Sequence, residues 1–146
     1  MKYNRPYCIT VFVFSFLLFS SCSKDEPVYS EVPEITFVSV SSTNVNSSDA
    51  LTFVISYQDG NGDLGENTTD ARNLYLLDSR ISTPYQYRIS ELSPNSSIII
   101  KGTLSVKLDH AGLLGAGPEN VVYSIYVVDR AGHQSNTVIS PTVTVH

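Results

Sequence analysis

From Glu34 onward the apolar residues recur at every second position. Ile35 and Phe37 alternate with Thr36 and Val38, and Leu51, Phe53, Ile55 and Tyr57 alternate with Thr52, Val54 and Ser56. A period of two places each set on one side of an extended chain, so both segments read as strands with one buried face. Between Ile98 and Leu108 the pattern is cleanest. Ile98, Ile100, Leu104, Val106 and Leu108 share a parity with Gly102, while Lys101, Thr103, Ser105 and Lys107 take the other. Val121, Tyr123, Ile125 and Val127 repeat the device, as do Ile139, Pro141, Val143 and Val145. Leu74 to Leu77 and Tyr85 to Ile89 are shorter candidates, and no window carries a helical stripe.

Turn-forming residues separate these runs: Asn44 to Asp49, Asp59 to Asp70, Ser79 to Pro84, Ser93 to Ser97, His110 to Asn120 and Arg130 to Asn136. Short strands with turn signals at this spacing predict an all-β, immunoglobulin-like or fibronectin-like antiparallel β-sandwich of about seven strands over residues 34–146. Tyr123, at the start of the penultimate strand, suits either a tyrosine corner, its hydroxyl bonded to nearby backbone, or a plain core position. Leu113 and Leu114 lie in a glycine-rich turn, where they either plug one end of the core or dock a partner. Tyr85, Tyr87 and Tyr126 either present an aromatic surface or cover an edge of the sandwich.

Before Glu34 the pattern is of another kind. Lys2 and Arg5 precede an eleven-residue run, Ile9 to Phe19, broken only by Thr10 and Ser15 and followed by Ser20 and Ser21. A basic start, an apolar middle and small residues describe an export signal, and eleven residues fall short of the roughly twenty that span a bilayer. Phe19-Ser20-Ser21-Cys22 resembles the lipobox of bacterial lipoproteins, with Phe19 where Leu is usual. The resemblance implies that residues 1–21 are a removed signal peptide and that Cys22 becomes an acylated N-terminus. With Cys8 in the leader, Cys22 is the one cysteine of the mature chain, so it has no partner for an intramolecular disulfide. Two or three acyl chains on one residue make a durable membrane anchor. Residues 22–33, with Pro27 and Pro33, read as the lipidated cysteine and a flexible tether, and Lys24-Asp25-Glu26 resembles an acidic tag for surface export.

Charge narrows the partners. Nine Lys and Arg, less Lys2 and Arg5, leave seven against fourteen Asp and Glu, a mature net charge of −7. Phosphate binding needs clustered cations, so a nucleic-acid partner is not expected. The acids are densest in Tyr57-Gln58-Asp59-Gly60-Asn61-Gly62-Asp63-Leu64-Gly65-Glu66. Asp59, Asn61 and Asp63 set oxygens at positions 1, 3 and 5 of a tight loop, the spacing by which such loops fold around Ca²⁺. An EF-hand is excluded, because Leu64 occupies the position that needs glycine and the flanks are strands. Asp129, in the turn Asp129-Arg130-Ala131-Gly132-His133, is the expected fourth ligand, since the two loops belong to the same end of a sandwich. Hard oxygen ligands without His or Cys favour a structural Ca²⁺ over zinc or copper. The same residues also suit a solvated turn without metal.

The lipobox, Ser56 to Gly65 (SYQDGNGDLG) and Val121 to Val138 (VVYSIYVVDRAGHQSNTV) together resemble small Bacteroidetes surface lipoproteins with an Ig-like domain, a family of unassigned function. That resemblance implies outer-membrane anchoring and surface display. No G-x-S-x-G elbow or H-E-x-x-H helix is present, and His110, His133 and His146 are the only histidines, so an enzyme is not expected and a hydrolase is a remote alternative. The expected function is a binding or accessory module for a protein or glycan partner, stabilised by calcium where the acidic loop binds it. The alternative is a structural spacer or scaffold subunit at the outer membrane.

Overall fold

The structure, a computed structural model, describes residues 29–94 and 98–146; the signal peptide, Cys22 and the tether through Val28 lie outside the described residues. Ten strands follow in chain order: β1 Glu34–Val40, β2 Asn44–Val45, β3 Leu51–Asp59, β4 Leu74–Asp78, β5 Tyr85–Tyr87, β6 Ile100–Leu108, β7 Glu119–Val121, β8 Tyr123–Val127, β9 Val138–Ile139 and β10 Val143–Val145. The protein is all-β: among the described residues there is no helix, and none long and apolar enough to cross a membrane. The sheets run β1-β3-β6, β2-β10-β7 and β5-β4-β8-β9, and all pairings are antiparallel except β2 with β10. Because β7 leads into β8 across Val122, and β9 into β10 across Ser140 to Thr142, the β2-β10-β7 and β5-β4-β8-β9 sheets share their chain segments end to end.

The alternation read from sequence is the burial pattern of the long strands. Leu51, Phe53 and Ile55 of β3 and Tyr123, Ile125 and Val127 of β8 are all buried, with half-buried residues between them. Their apolar faces meet in one core with Leu74, Leu76, Val106, Leu108, Val121, Val143 and Val145. Phe53 and Tyr123, from different sheets, pack with ring centroids 4.9 Å apart. The Tyr123 hydroxyl is buried and bonds to no backbone group, so it forms no tyrosine corner. Burial and the nearby Asp78 push it up to about 12.

Three strands differ from the periodicity. The run Ile139 to Val145 is broken at Pro141, which lacks the amide proton a central strand needs. Across the break the inward parity changes: Val138 is half-buried against the core, while Ile139 is 62% exposed. The Ser140 hydroxyl fills the gap by accepting from the Tyr123 amide and donating to the Pro141 carbonyl. The strand before Leu108 starts at Ile100, leaving Ile98 and Ile99 exposed outside it. Tyr85 to Ile89 holds three strand residues, and Tyr85 and Tyr87 lie half-buried against the core, covering its edge. Tyr126 stacks instead on Tyr75, 4.7 Å away at 8°.

Side chains whose partners are distant in sequence close the structure. The Asn136 amide accepts from the Ile35 amide and donates to the Ile35 carbonyl, both at 2.8 Å, joining β1 to the turn before β9. At the opposite end from Asp59, Arg80 donates to both Asp78 oxygens, to the Ala111 and Gly112 carbonyls and to Glu119. Glu119 in turn accepts from the Leu114 and Gly115 amides. This arrangement divides the leucine pair: Leu113 packs on the core, while Leu114 is 61% exposed.

The amides of Leu114 and Gly115, with Arg80, hold the Glu119 carboxyl below its usual range. A depressed carboxyl binds its proton less readily when folded, so its contribution is complete above the unfolded pKa and is lost as pH falls through the folded one. Melting temperatures measured between about pH 3 and 6 should therefore rise less steeply for Glu119→Gln than for wild type, with the two curves converging at the acid end. Parallel curves would show that this carboxylate has no linkage to folding.

Candidate functional site

The acidic loop begins where β3 ends. Asp59 is wholly buried; its Oδ1 accepts from the Asn61 amide at 3.4 Å and its Oδ2 from the Leu64 amide at 2.9 Å. Asn61 Oδ1 accepts from the Asp63 amide at 3.4 Å. These short-range bonds coil the loop, and Leu64, with no exposed surface, pins its far side to the core. The next residue, Gly65, has a φ of 87° and lies so close to Ser90 that a Cβ would sit 2.3 Å from its carbonyl oxygen. The neighbouring bond from the Glu66 amide to the Ile89 carbonyl, 2.9 Å, holds this approach.

The turn after β8 meets this loop. The Arg130 amide donates to the Asp63 carbonyl at 3.2 Å, and its guanidinium reaches the Gly65 carbonyl at 2.8 Å and the Gly62 carbonyl at 3.5 Å, with Glu91 3.6 Å away. Asp129 is directed along its own turn: Oδ1 accepts from the His133 amide at 2.7 Å, and Oδ2 lies 3.0 Å from His133 Nδ1. Asp63 and Asp129 are each 6% exposed. Burial, then the charges of Asp129 and Asp59, raise the Asp63 carboxyl above the ordinary aspartate range. Its Oδ1 is buried and has no hydrogen-bond partner. Among the described residues no three Asp, Glu, His or Cys side chains are already gathered to hold a metal ion. Asp70, twelfth from Asp59, is exposed.

Arg130 and His133 organise this end. Their signal in the sequence was only adjacency to Asp129, which does not reveal that Arg130 spans to backbone carbonyls 65 and 68 residues away. The chain also enters here: the Gly60 amide donates to the Ser30 carbonyl at 2.9 Å, and Lys101 Nζ lies 4.0 Å over the Tyr29 ring. Any tether preceding Tyr29 therefore joins at the acidic end.

A second feature lies on the flank. β5 and β6 are the outer strands of their respective sheets, and between them opens a cleft of about 430 Å³. Leu74, Tyr87, Ile89, Leu92, Leu104 and Val106 form its apolar wall, with Arg88 and Lys107 among the lining residues. β6 pairs through all nine residues with β3, and among the described residues no strand pairs with its other edge, beside the cleft.

No family model, no curated protein and no solved structure matches this chain.

Proposed function

We propose that residues 34–146 form an immunoglobulin-like β-sandwich, anchored at the outer membrane through a lipidated Cys22 and displayed at the cell surface as a non-catalytic binding or accessory module. One layer would be β1-β3-β6 and the other β5-β4, then β7 and β8, then β9 and β10, then β2. The strand order and the shared core support this reading. Entry of the chain beside Gly60 supports an orientation with the acidic end towards the membrane and the flank and the Arg80 end away from it.

The cleft between β5 and β6 is the observation that carries a binding role. An open strand edge beside an apolar groove suits an extended polypeptide that adds to β6 and inserts alternate side chains. A second copy is a poor occupant: antiparallel self-pairing centred on Leu104 sets Lys101 opposite Lys107, and like charges facing across strands repel. The fitting segment alternates apolar with acidic residues, to meet Lys101, Lys107 and Arg88. A structural spacer is the second reading, favoured by the Arg80 network that ties the far loop to the end of β4.

Synthetic peptides of that alternating pattern should bind the full-length protein in detergent. Leu104→Lys should weaken them by at least about tenfold with its melting temperature changed by only a few degrees. Glycan binding that survives Leu104→Lys, with no peptide bound, would overturn the cleft as the recognition site. Cys22→Ala should shift the protein from the membrane to the soluble fraction, and its retention in membranes would remove the anchor from the proposal.

A further inference from the structure

We infer that the acidic end is a calcium site, with Asp59, Asn61 and Asp63 from the loop after β3 and Asp129 from the turn after β8 as its side-chain ligands. The inference is independent of the anchor and of the cleft. Asp59, Asp63 and Asp129 are all more than nine-tenths buried. Charge in such a place is costly unless it is paired or bound to a metal. The nearby guanidinium of Arg130 offsets the Asp63 charge only in part, since its own bonds go to the Gly65 and Gly62 carbonyls and Glu91 lies within 4 Å of it. Asp59 is held only by the Asn61 and Leu64 amides of its own loop, and Asp63 Oδ1 by nothing, so this pair of carboxylates tolerates such burial poorly. The decisive atom is Asp63 Oδ1, a buried carboxylate oxygen with no partner beside Asp59 and Asp129.

Oxygen ligands of this kind, carried on an irregular loop, suit Ca²⁺, which accepts six to eight oxygens in flexible geometry; Mg²⁺ demands a tighter octahedron and gives up water reluctantly. Binding requires one rearrangement. Asp129 must turn at least one oxygen from His133 towards Asp63, since three ligands are not yet gathered. The His133 side chain is 44% exposed, so water can replace that oxygen at Nδ1 when Asp129 turns. Water would complete the coordination.

The test uses the full-length protein in detergent, stripped with chelator and titrated with Ca²⁺ or Mg²⁺ alone. Calorimetry should show one saturable Ca²⁺ site with at least tenfold preference over Mg²⁺, and saturating Ca²⁺ should raise the melting temperature by several degrees. Asp63→Asn and Asp129→Asn should each weaken Ca²⁺ at least tenfold, while Asp70→Asn, in the same loop but exposed, should stay within about twofold. Asp63→Asn should also invert the order of stability. Without metal it should melt at or above wild type, because a buried charge has gone, and with saturating Ca²⁺ it should melt below. Absence of Ca²⁺ binding by wild type at about millimolar concentration would overturn the site. So would equal losses in Asp63→Asn and Asp70→Asn, which would indicate diffuse attraction to an acidic surface. Should Asp63→Asn fail to fold, Asp129→Asn and the response of wild type to chelator decide the matter.

Discussion

Replacing Arg80 by alanine should destabilise the domain by about 3–5 kcal/mol, the cost of breaking a buried ion pair from one side. For a domain of this size each kcal/mol corresponds to about 4 °C, so the melting temperature should fall by roughly 12–20 °C. The magnitude follows from what the guanidinium leaves behind. Asp78 is 2% exposed and receives three contacts from Arg80 Nε and Nη2, all of which disappear, leaving only the residue-80 amide on Oδ1. The Ala111 and Gly112 carbonyls and Glu119 lose their donors as well. Asp78 in turn keeps the Arg80 charge strongly favoured. Arg80→Lys should recover only part of the loss, because one ammonium cannot reproduce a planar fork that serves four groups. The measurement is a chemical denaturation of each variant beside Asp78→Asn/Arg80→Met. If the double variant is as stable as wild type while Arg80→Ala is not, the cost is that of the orphaned carboxylate. A change below about 1 kcal/mol in Arg80→Ala would show that the network is solvent-screened and contributes little.

Gly65→Ala should cost about 2–4 kcal/mol although it adds a single methyl group. Two effects combine. The backbone stands at a φ of 87°, a region that side-chain-bearing residues adopt at a cost, and the new Cβ would lie 2.3 Å from the Ser90 carbonyl oxygen. A carbonyl of the main chain cannot swing aside as a side-chain tip would. The segment Leu64 to Glu66 must move away from Ile89 to Leu92, straining the Glu66–Ile89 and Leu92–Leu64 hydrogen bonds. Leu64 and the Arg130 contact to the Gly65 carbonyl would be displaced with it. The lesion should therefore extend to Asp59, Asp63 and Asp129, and amide exchange should accelerate in both the loop and the turn. Faster exchange confined to residues 64–66, with less than about 1 kcal/mol lost, would mean that the two loops are held together by something other than this approach.

The strands with complete alternation were legible without coordinates. In β3, β6 and β8 a period of two has a direct physical cause, since a pleated chain with one face on a core buries alternate side chains. Where two causes competed, periodicity misled. Ile139 keeps the parity of Val143 and Val145, yet Pro141 interrupts the ladder between them and the chain re-enters it facing the other way. The leucine pair was legible only as an anomaly; which one is buried is set by Glu119 holding the Leu114 and Gly115 amides. At the acidic end the residue types and spacing marked Asp59, Asn61, Asp63 and Asp129 as candidates. Neither the depth of their burial nor the unpartnered Asp63 oxygen is a property of spacing.

By itself the sequence determined the all-β class, the sidedness of the long strands, the acidic loop and the expectation of an anchor, because each rests on residue types a few positions apart. Only the tertiary structure decided how the domain is closed. Arg80 reaches residues 31 to 39 positions onward, Asn136 reaches Ile35 across 101, and Arg130 reaches back 65 to Gly65. A long polar side chain satisfies whichever carbonyl or carboxylate the fold brings within about 3 Å, and that neighbour is set by how the sheets pack, not by the local pattern.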